Sequence, residues 1–287
     1  MRNTLYRIVC IFAVTLLALG LRGYAANHLL IDGDEPVYIN AAVVYAGLMR
    51  SGEWRQISWY EKNKEHPPLN KLVYGVGLLT KPQLNAMWAK DFPKYTPIAT
   101  AEGRPWGMVG RWISASFGVL AALVLSLLNP VAGLFLAVNT IAVRYTSSML
   151  LEALPFLTGL LAALFYLRWF DAAKQNRRGF VWLGLSAAAL GATAASKYTY
   201  AVIGIAIGLH WLVFASREAR TVRTAGWMIL WGLAAGACFF VLDPYLWPDP
   251  VHRLLETLTF HASYSQRDFV RSFNYPFWQP LVWLTST

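Results

Sequence analysis

The sequence predicts an all-α polytopic membrane protein, and three observations carry that prediction. Of the 287 residues, 56% are hydrophobic and only 14% are charged, with a mean hydropathy of +0.40. A soluble domain carries about a quarter charged residues. The apolar residues are gathered into long runs, as segments facing lipid require. Aromatic residues make up 15% of the chain, and Trp and Tyr collect at membrane interfaces. The net charge of +10 does not read as nucleic-acid binding, because the basic residues form no continuous patch or arm. Cys10 and Cys238 each lie within an apolar run, which speaks against a disulfide framework and for two small core residues.

In chain order, residues 8–24 form the first apolar run, behind Arg2 and Arg7. Gly23-Tyr24-Ala25 resembles a signal-peptide cleavage site, but the runs downstream favour an uncleaved first helix. A long polar loop follows, about residues 25–104, and it carries helices of its own. Within 35–49, Val37, Ala41, Val44, Tyr45 and Leu48 recur at helical spacing. Pro36 sits near the start of that segment, and Ser51-Gly52-Glu53-Trp54 ends it. Residues 67–79 begin in the same way on Pro67-Pro68 and are too short to span. Both helices are expected to lie along the membrane surface, tucked against the bundle.

Residues 107–128 span back, and Asn129-Pro130 turns into 131–143. A short polar connection leads to 152–170, and 180–195 with 200–214 form a hairpin about Ser196-Lys197-Tyr198. Residues 226–242 run out to Asp243-Pro244-Tyr245-Leu246-Trp247, and 276–287 look like the start of a further span. About seven spans result, several of them short for a ~30 Å hydrocarbon core. The chain reads as one transmembrane module, 1–250, followed by an outer-face segment, 251–287, expected to be truncated.

Lysine and arginine set the orientation. With the N-terminus inside, the inner ends hold Arg2, Arg7, Arg168, Lys174, Arg177, Arg178, Arg217, Arg220 and Arg223. The short outer connections hold only Arg144 and Lys197. The expected location is the cytoplasmic membrane, with Asp34, Glu152, Lys197 and Asp243 together on the extracytoplasmic side.

Two polar clusters stand out in the long loop: Asp32-Gly33-Asp34-Glu35-Pro36-Val37-Tyr38 and Glu65-His66-Pro67-Pro68-Leu69-Asn70-Lys71. Adjacent acids at a helix start point in different directions, so one can face a substrate while the other caps the helix or binds a cation. Asp34 suits general-base work on an acceptor hydroxyl, because Asp32 already offers a cap upstream. Glu65 and His66 are of the types that ligate a divalent cation, although two ligands are a thin set. A positive helix end also suits phosphate, within reach of Lys71. Glu152 begins a span, where the helix dipole alone would place an acid. Lys197 breaks the positive-inside trend, so it either snorkels to the interface or anchors a lipid phosphate. His210 reads as packed toward the inner side, and His252 and His261 are outer-side candidates for phosphate or metal contact.

Taken in order, Asp34-Glu35-x-x-Tyr38, Ser51-Gly52-Glu53-Trp54 and Glu65-His66-Pro67-Pro68-Leu69-x-Lys71 resemble the first outer loop of the GT-C glycosyltransferases. The relevant members are the protein O-mannosyltransferases and the aminoarabinose transferases that modify lipid A. Arg111 with Ser114-Ala115 and Gly118, Glu152 with Pro155, Ser196-Lys197-Tyr198 and Asp243-Pro244-Tyr245-Leu246-Trp247 extend the resemblance. It implies a GT-C-type transmembrane bundle and an inverting sugar transfer from a polyprenyl-phosphate donor to a hydroxyl on a protein, lipid or glycan. By the same resemblance Asp34 takes the place of the catalytic base, with Glu35 and Glu152 as further catalytic candidates. Tyr38, His66, Lys71, Lys197 and Tyr198 become the substrate and phosphate candidates. Glu65 and His261 are the candidates for a divalent cation. Glu152 stands where the family usually has aspartate, and family members normally continue into more spans. Two other classes fit the composition. A flippase or transporter of lipid-linked sugars would show charges or broken helices near mid-membrane. The other is an inactive fragment or partner subunit.

Overall fold

The computed structural model describes residues 2–60, 63–81, 104–175, 179–215 and 222–276, together with positions 278, 279 and 282. Among these residues the regular structure is helical and no strand occurs. The first helices are α1 (Arg2–His28), α2 (Glu35–Ser51), α3 (Trp54–Ile57), α4 (Leu69–Leu78) and α5 (Arg104–Leu128). Then come α6 (Pro130–Val138), α7 (Thr140–Tyr145), α8 (Ala153–Lys174), α9 (Phe180–Ser196) and α10 (Val202–Phe214). The last are α11 (Val222–Leu242), α12 (Pro250–Ser265) and α13 (Asp268–Ser272), with 3-10 turns at Tyr198–Ala201 and Pro244–Leu246.

Four of the described helices are long and apolar enough to cross a membrane: Thr4–His28, Arg104–Leu128, Ala153–Ala173 and Thr224–Leu242. Phe180–Ser196 and Tyr198–Phe214 are shorter apolar helices. Large apolar side chains lie bare along several of them, among them Phe12 on α1, Ile205 and Leu209 on α10, and Ile229 and Leu233 on α11. Apolar surface of that extent belongs against lipid. The chain is a helical membrane protein.

The segment expected over 131–143 is not one helix. It breaks at Asn139, whose side chain accepts the Ala142 N–H at 2.8 Å and so caps α7. Asn129 caps α6 in the same way through the Val131 N–H at 2.9 Å. A buried arginine on α1 answers the carbonyls that the break sets free. Arg22 donates to the Leu136 and Ala137 carbonyls, both at 3.3 Å, and to the Thr146 hydroxyl at 2.9 Å. Backbone groups released inside a membrane bundle need such partners.

Small residues let the helices approach closely. α1, α5 and α6 meet through Ala18, Ala122 and Ala137. α8, α9, α10 and α11 surround Tyr166, Trp169, Leu190 and Trp231. A β-carbon at Gly191 would lie 2.7 Å from the Ala235 carbonyl, so only glycine permits the α9–α11 contact as it stands. Contacts between α5 and α8 join the two groups.

α2 forms where it was expected, opened by Pro36 and closed by Gly52 in the left-handed conformation at φ 74°. It is tucked against the bundle, and more deeply than an amphipathic pattern suggests. Tyr38, Ile39, Ala42, Val43, Tyr45 and Ala46 are buried around most of its circumference, enclosed by α3, α4, α5 and Met149. Ala41, Ala42, Ala46 and Gly47 explain this, because a helix so thin can be approached from several sides. α4 buries Tyr74, Gly75 and Leu78 and leaves Val76 exposed. α12 is fastened to the loop before α4. Arg253 donates to the Ser58 carbonyl at 2.5 Å and the Tyr245 carbonyl at 2.7 Å, and Lys64 pairs with Glu256 at 2.5 Å. Most of the span expected over 276–287 lies outside the described residues.

Candidate functional site

The two polar clusters of the long loop meet at one end of the bundle. There α1, α9 and α11 end, and α2, α4 and α8 begin. A single carboxylate ties the first cluster to α5 and to the segment before α8. Glu35 is fully buried and accepts Arg111 Nε at 2.9 Å, Arg111 Nη2 at 2.7 Å, the Met149 N–H at 2.7 Å and the Asp32 N–H at 3.0 Å. Arg111 directs its other N–H groups at the carbonyls of Ala26 (2.9 Å), Leu29 (3.0 Å) and Leu30 (3.1 Å), where α1 runs out. A buried ion pair is tolerable only when its remaining donors and acceptors are satisfied, as they are here. Glu35 was a catalytic candidate by sequence; in the structure both its oxygens are occupied by protein donors. It holds the chain beside Asp34 and, through Met149, the approach to Glu152.

Asp34 is exposed, and its carboxylate makes no cap bond; Asp32 Oδ1 accepts the Asp34 N–H instead, at 3.2 Å. Although the residue is open to solvent, surrounding atoms crowd its carboxyl and raise its pKa above the ordinary value. Asp32 pushes in the same direction, Lys197 opposes, and Glu65 adds to the rise. An accessible carboxylate with a raised pKa is equipped to accept a proton.

Lys197 pairs with Glu152 at 2.5 Å, both partly buried. The second oxygen of Glu152 is buried without a hydrogen-bond partner among the described residues. Glu152 also lines a groove of about 730 Å³, together with Leu125, Phe135, Leu136, Ile141, Ala142, Tyr145, Phe156 and Tyr200. Leu125 lies near the far end of α5 and Glu152 at the charged end of α8, so the groove runs along the flank of the bundle. Phe135 and Ile141 are exposed, so its side is open.

Lys71 is not available to an anion. It is 1% exposed and donates to the Asn63 carbonyl (2.7 Å), the His66 carbonyl (2.9 Å) and Asn63 Oδ1 (3.1 Å). Burial pushes its ammonium down to about 7 against the pull of Glu65 and Asp243, while the oxygens it bonds favour the charged form. The lysine thus shapes the turn that presents Glu65 and His66. Tyr38 is buried with its ring edge-on to His66, centroids 6.4 Å apart. Burial, then Asp34, Glu152 and Glu65, push its phenol well up, so it stays a neutral hydroxyl.

Tyr198 donates to Asp243 Oδ2 at 3.4 Å. Asp243 is fully buried, and burial pushes its carboxyl up to about 7, opposed by Lys71, Tyr198 and the N–H groups of Tyr245 and Leu246. His210 is packed, as expected, with Tyr166 Oη 2.9 Å from its Nδ1 and the rings of Phe170 and Phe214 beside it. Glu65 Oε1 accepts from Asn63 Nδ2 at 2.7 Å, and the His261 side chain lies outside the described residues. Among the described residues no three His, Cys, Asp or Glu side chains converge to hold a cation.

Of the two arginines that organise this end of the protein, sequence reasoning named Arg111 only as part of a motif and passed over Arg22. Arg22 and Arg111 both sit inside apolar runs, and a charge within a potential span is itself a signal. What results is a helical membrane protein with an ion-paired joint beneath an exposed aspartate, and an apolar groove that reaches the same cluster. Comparison with known protein families, with curated proteins and with solved structures gives no match.

Proposed function

We propose that this chain is a membrane glycosyltransferase that moves a sugar from a polyprenyl-phosphate donor to an acceptor hydroxyl, with inversion. The observation that carries the reading is the open apolar groove ending at the Glu152–Lys197 pair, with the exposed Asp34 within electrostatic reach of Lys197. The motif order that resembles the GT-C enzymes supports it. The charge bias of the loops supports a site on the extracytoplasmic face of the cytoplasmic membrane, with the N-terminus inside.

In this reading the prenyl chain lies along the flank of the bundle and the phosphate at its charged end. Asp34 takes the proton of the acceptor hydroxyl as that oxygen bonds to the anomeric carbon from the face opposite the phosphate. The bond between the sugar and the phosphate oxygen breaks, and its electron pair leaves with the polyprenyl phosphate. Fixed positive charge near that oxygen stabilises the leaving group. Tyr198, half-buried beside Asp243, supplies a hydroxyl for the sugar, Tyr38 packs behind His66, and a protein, lipid or glycan presents the acceptor.

The test uses the full chain in nanodiscs with a radiolabelled polyprenyl-phosphate sugar and panels of peptide, lipid and glycan acceptors. Transfer by the wild type and a loss of about 10²–10⁴ in turnover for Asp34→Asn are expected. Asp34→Asn turning over like the wild type would remove the base. Movement of the labelled lipid between leaflets with no transfer would establish a translocator instead.

A further inference from the structure

We infer that Arg144 is the residue that receives the phosphate of the lipid carrier, an assignment that rests on the glycosyltransferase reading above. Three cations at the charged end have their guanidinium or ammonium already engaged. Lys71 and Arg111 are buried and held by protein oxygens, and Lys197 is closed onto Glu152. Arg144 differs from all three. Its side chain is 61% exposed, and its nearest carboxylate, Asp32, stands at 3.6 Å, beyond hydrogen-bond distance.

Its position matters as much as its freedom. Arg144 stands on α7 between Ala142 and Tyr145, both of which line the groove. Its guanidinium carbon is 5.8 Å from the centroid of the Tyr145 ring, which places the charge at the groove's rim. On the other side it touches Asp32, whose second oxygen holds the Asp34 N–H. A phosphate emerging from the groove therefore meets Arg144 on its way to Asp34. The planar fork of a guanidinium matches two phosphate oxygens, so the loose contact with Asp32 is exchanged for a bidentate one. That exchange also leaves Asp32 without its cation only while the carrier is bound.

The experiment measures binding of a tritiated polyprenyl phosphate, and of the matching uncharged polyprenol, to the full chain in phosphatidylcholine nanodiscs. Arg144→Gln should weaken the polyprenyl phosphate about 10- to 100-fold and leave the polyprenol unchanged. Arg144→Lys should fall between, because it keeps the charge and loses the fork. Ala142→Trp, which fills the groove, should weaken both lipids. Neither phosphatidylglycerol in the disc nor inorganic phosphate in the buffer should compete. Four results overturn the assignment. Arg144→Gln could bind the polyprenyl phosphate like the wild type while Ala142→Trp does not, which removes Arg144 and keeps the groove. Equal weakening of both lipids by Arg144→Gln would make the residue a part of the groove wall only. Competition by phosphatidylglycerol or inorganic phosphate would make it a general anion contact. A wild type that binds neither lipid would remove the carrier reading itself, and Arg144 with it.

Discussion

Glu35→Gln keeps the size of a fully buried side chain and removes its charge. The two oxygens of Glu35 accept from Arg111 Nε, Arg111 Nη2, the Met149 N–H and the Asp32 N–H. Glutamine offers one acceptor oxygen, and its amide nitrogen would face a second donor. Each buried donor left unmet costs about 1–3 kcal/mol. Breaking a buried pair by removing one partner costs about 3–5 kcal/mol, and the two figures overlap rather than add. Glu35→Gln is therefore expected to lose about 3–5 kcal/mol of stability. Asp34→Asn, one position earlier, alters an exposed side chain with no cap bond and should stay within about 0.5 kcal/mol. Turnover should order the pair the other way, with Asp34→Asn stable and inactive. Unfolding would be followed by circular dichroism during SDS titration of mixed micelles, with sugar transfer assayed on the same preparations. If Glu35→Gln proves as stable as the wild type while losing turnover, Glu35 acts on substrate and the positioning argument is wrong.

The pH dependence follows from the same cluster. Only ionised Asp34 accepts a proton, so kcat/KM should rise with pH through an apparent pKa above the ordinary carboxylate value of about 4. Lys197→Met removes the charge that holds the pKa down and should move the rising limb to higher pH, whereas Asp32→Asn should move it lower; shifts of the opposite sign would place the base elsewhere. Arg22→Met strips the Leu136 and Ala137 carbonyls and Thr146 of a donor and should cost at least about 2 kcal/mol in the SDS titration. A smaller loss would mean that the Asn139 cap alone sustains the break between α6 and α7.

Much of the fold was legible because helix boundaries are written in local chemistry. Pro36 and Gly52 bracket α2, and Asn129-Pro130 opens α6, each through contacts made within a few residues. The break at Asn139 was harder to read, because its cap interrupts an otherwise continuous apolar run and its support comes from Arg22 on a distant helix. The charged end of the bundle was legible as a set of residues and not as a set of roles. Glu35 and Asp34 are alike in sequence, as are Lys71 and Lys197. What separates the acids is a partner 76 residues away, Arg111, whereas Lys71 is closed by its own turn at Asn63 and His66 and Lys197 by Glu152, 45 residues away. Enclosure of α2 was hidden for the same reason, since Ala41, Ala42 and Ala46 suit a half-buried helix and a buried one equally well.

The Glu35 joint also bears on the order in which the chain assembles. In synthesis from the N-terminus, Glu35 leaves the ribosome 76 residues ahead of Arg111 and 114 ahead of Met149. Through that interval a carboxylate whose final place is wholly dry has neither its cation nor its amide donor. An ionised acid in that condition stays hydrated. α1 and α2 therefore cannot settle against each other until α5 has been inserted, and the last carbonyls of α1 wait for the same arginine. A chain that inserts α5 wrongly keeps Glu35 wet and never sets Asp34 in place. Correct placement of α5 is in this way coupled to the setting of α2 and of Asp34.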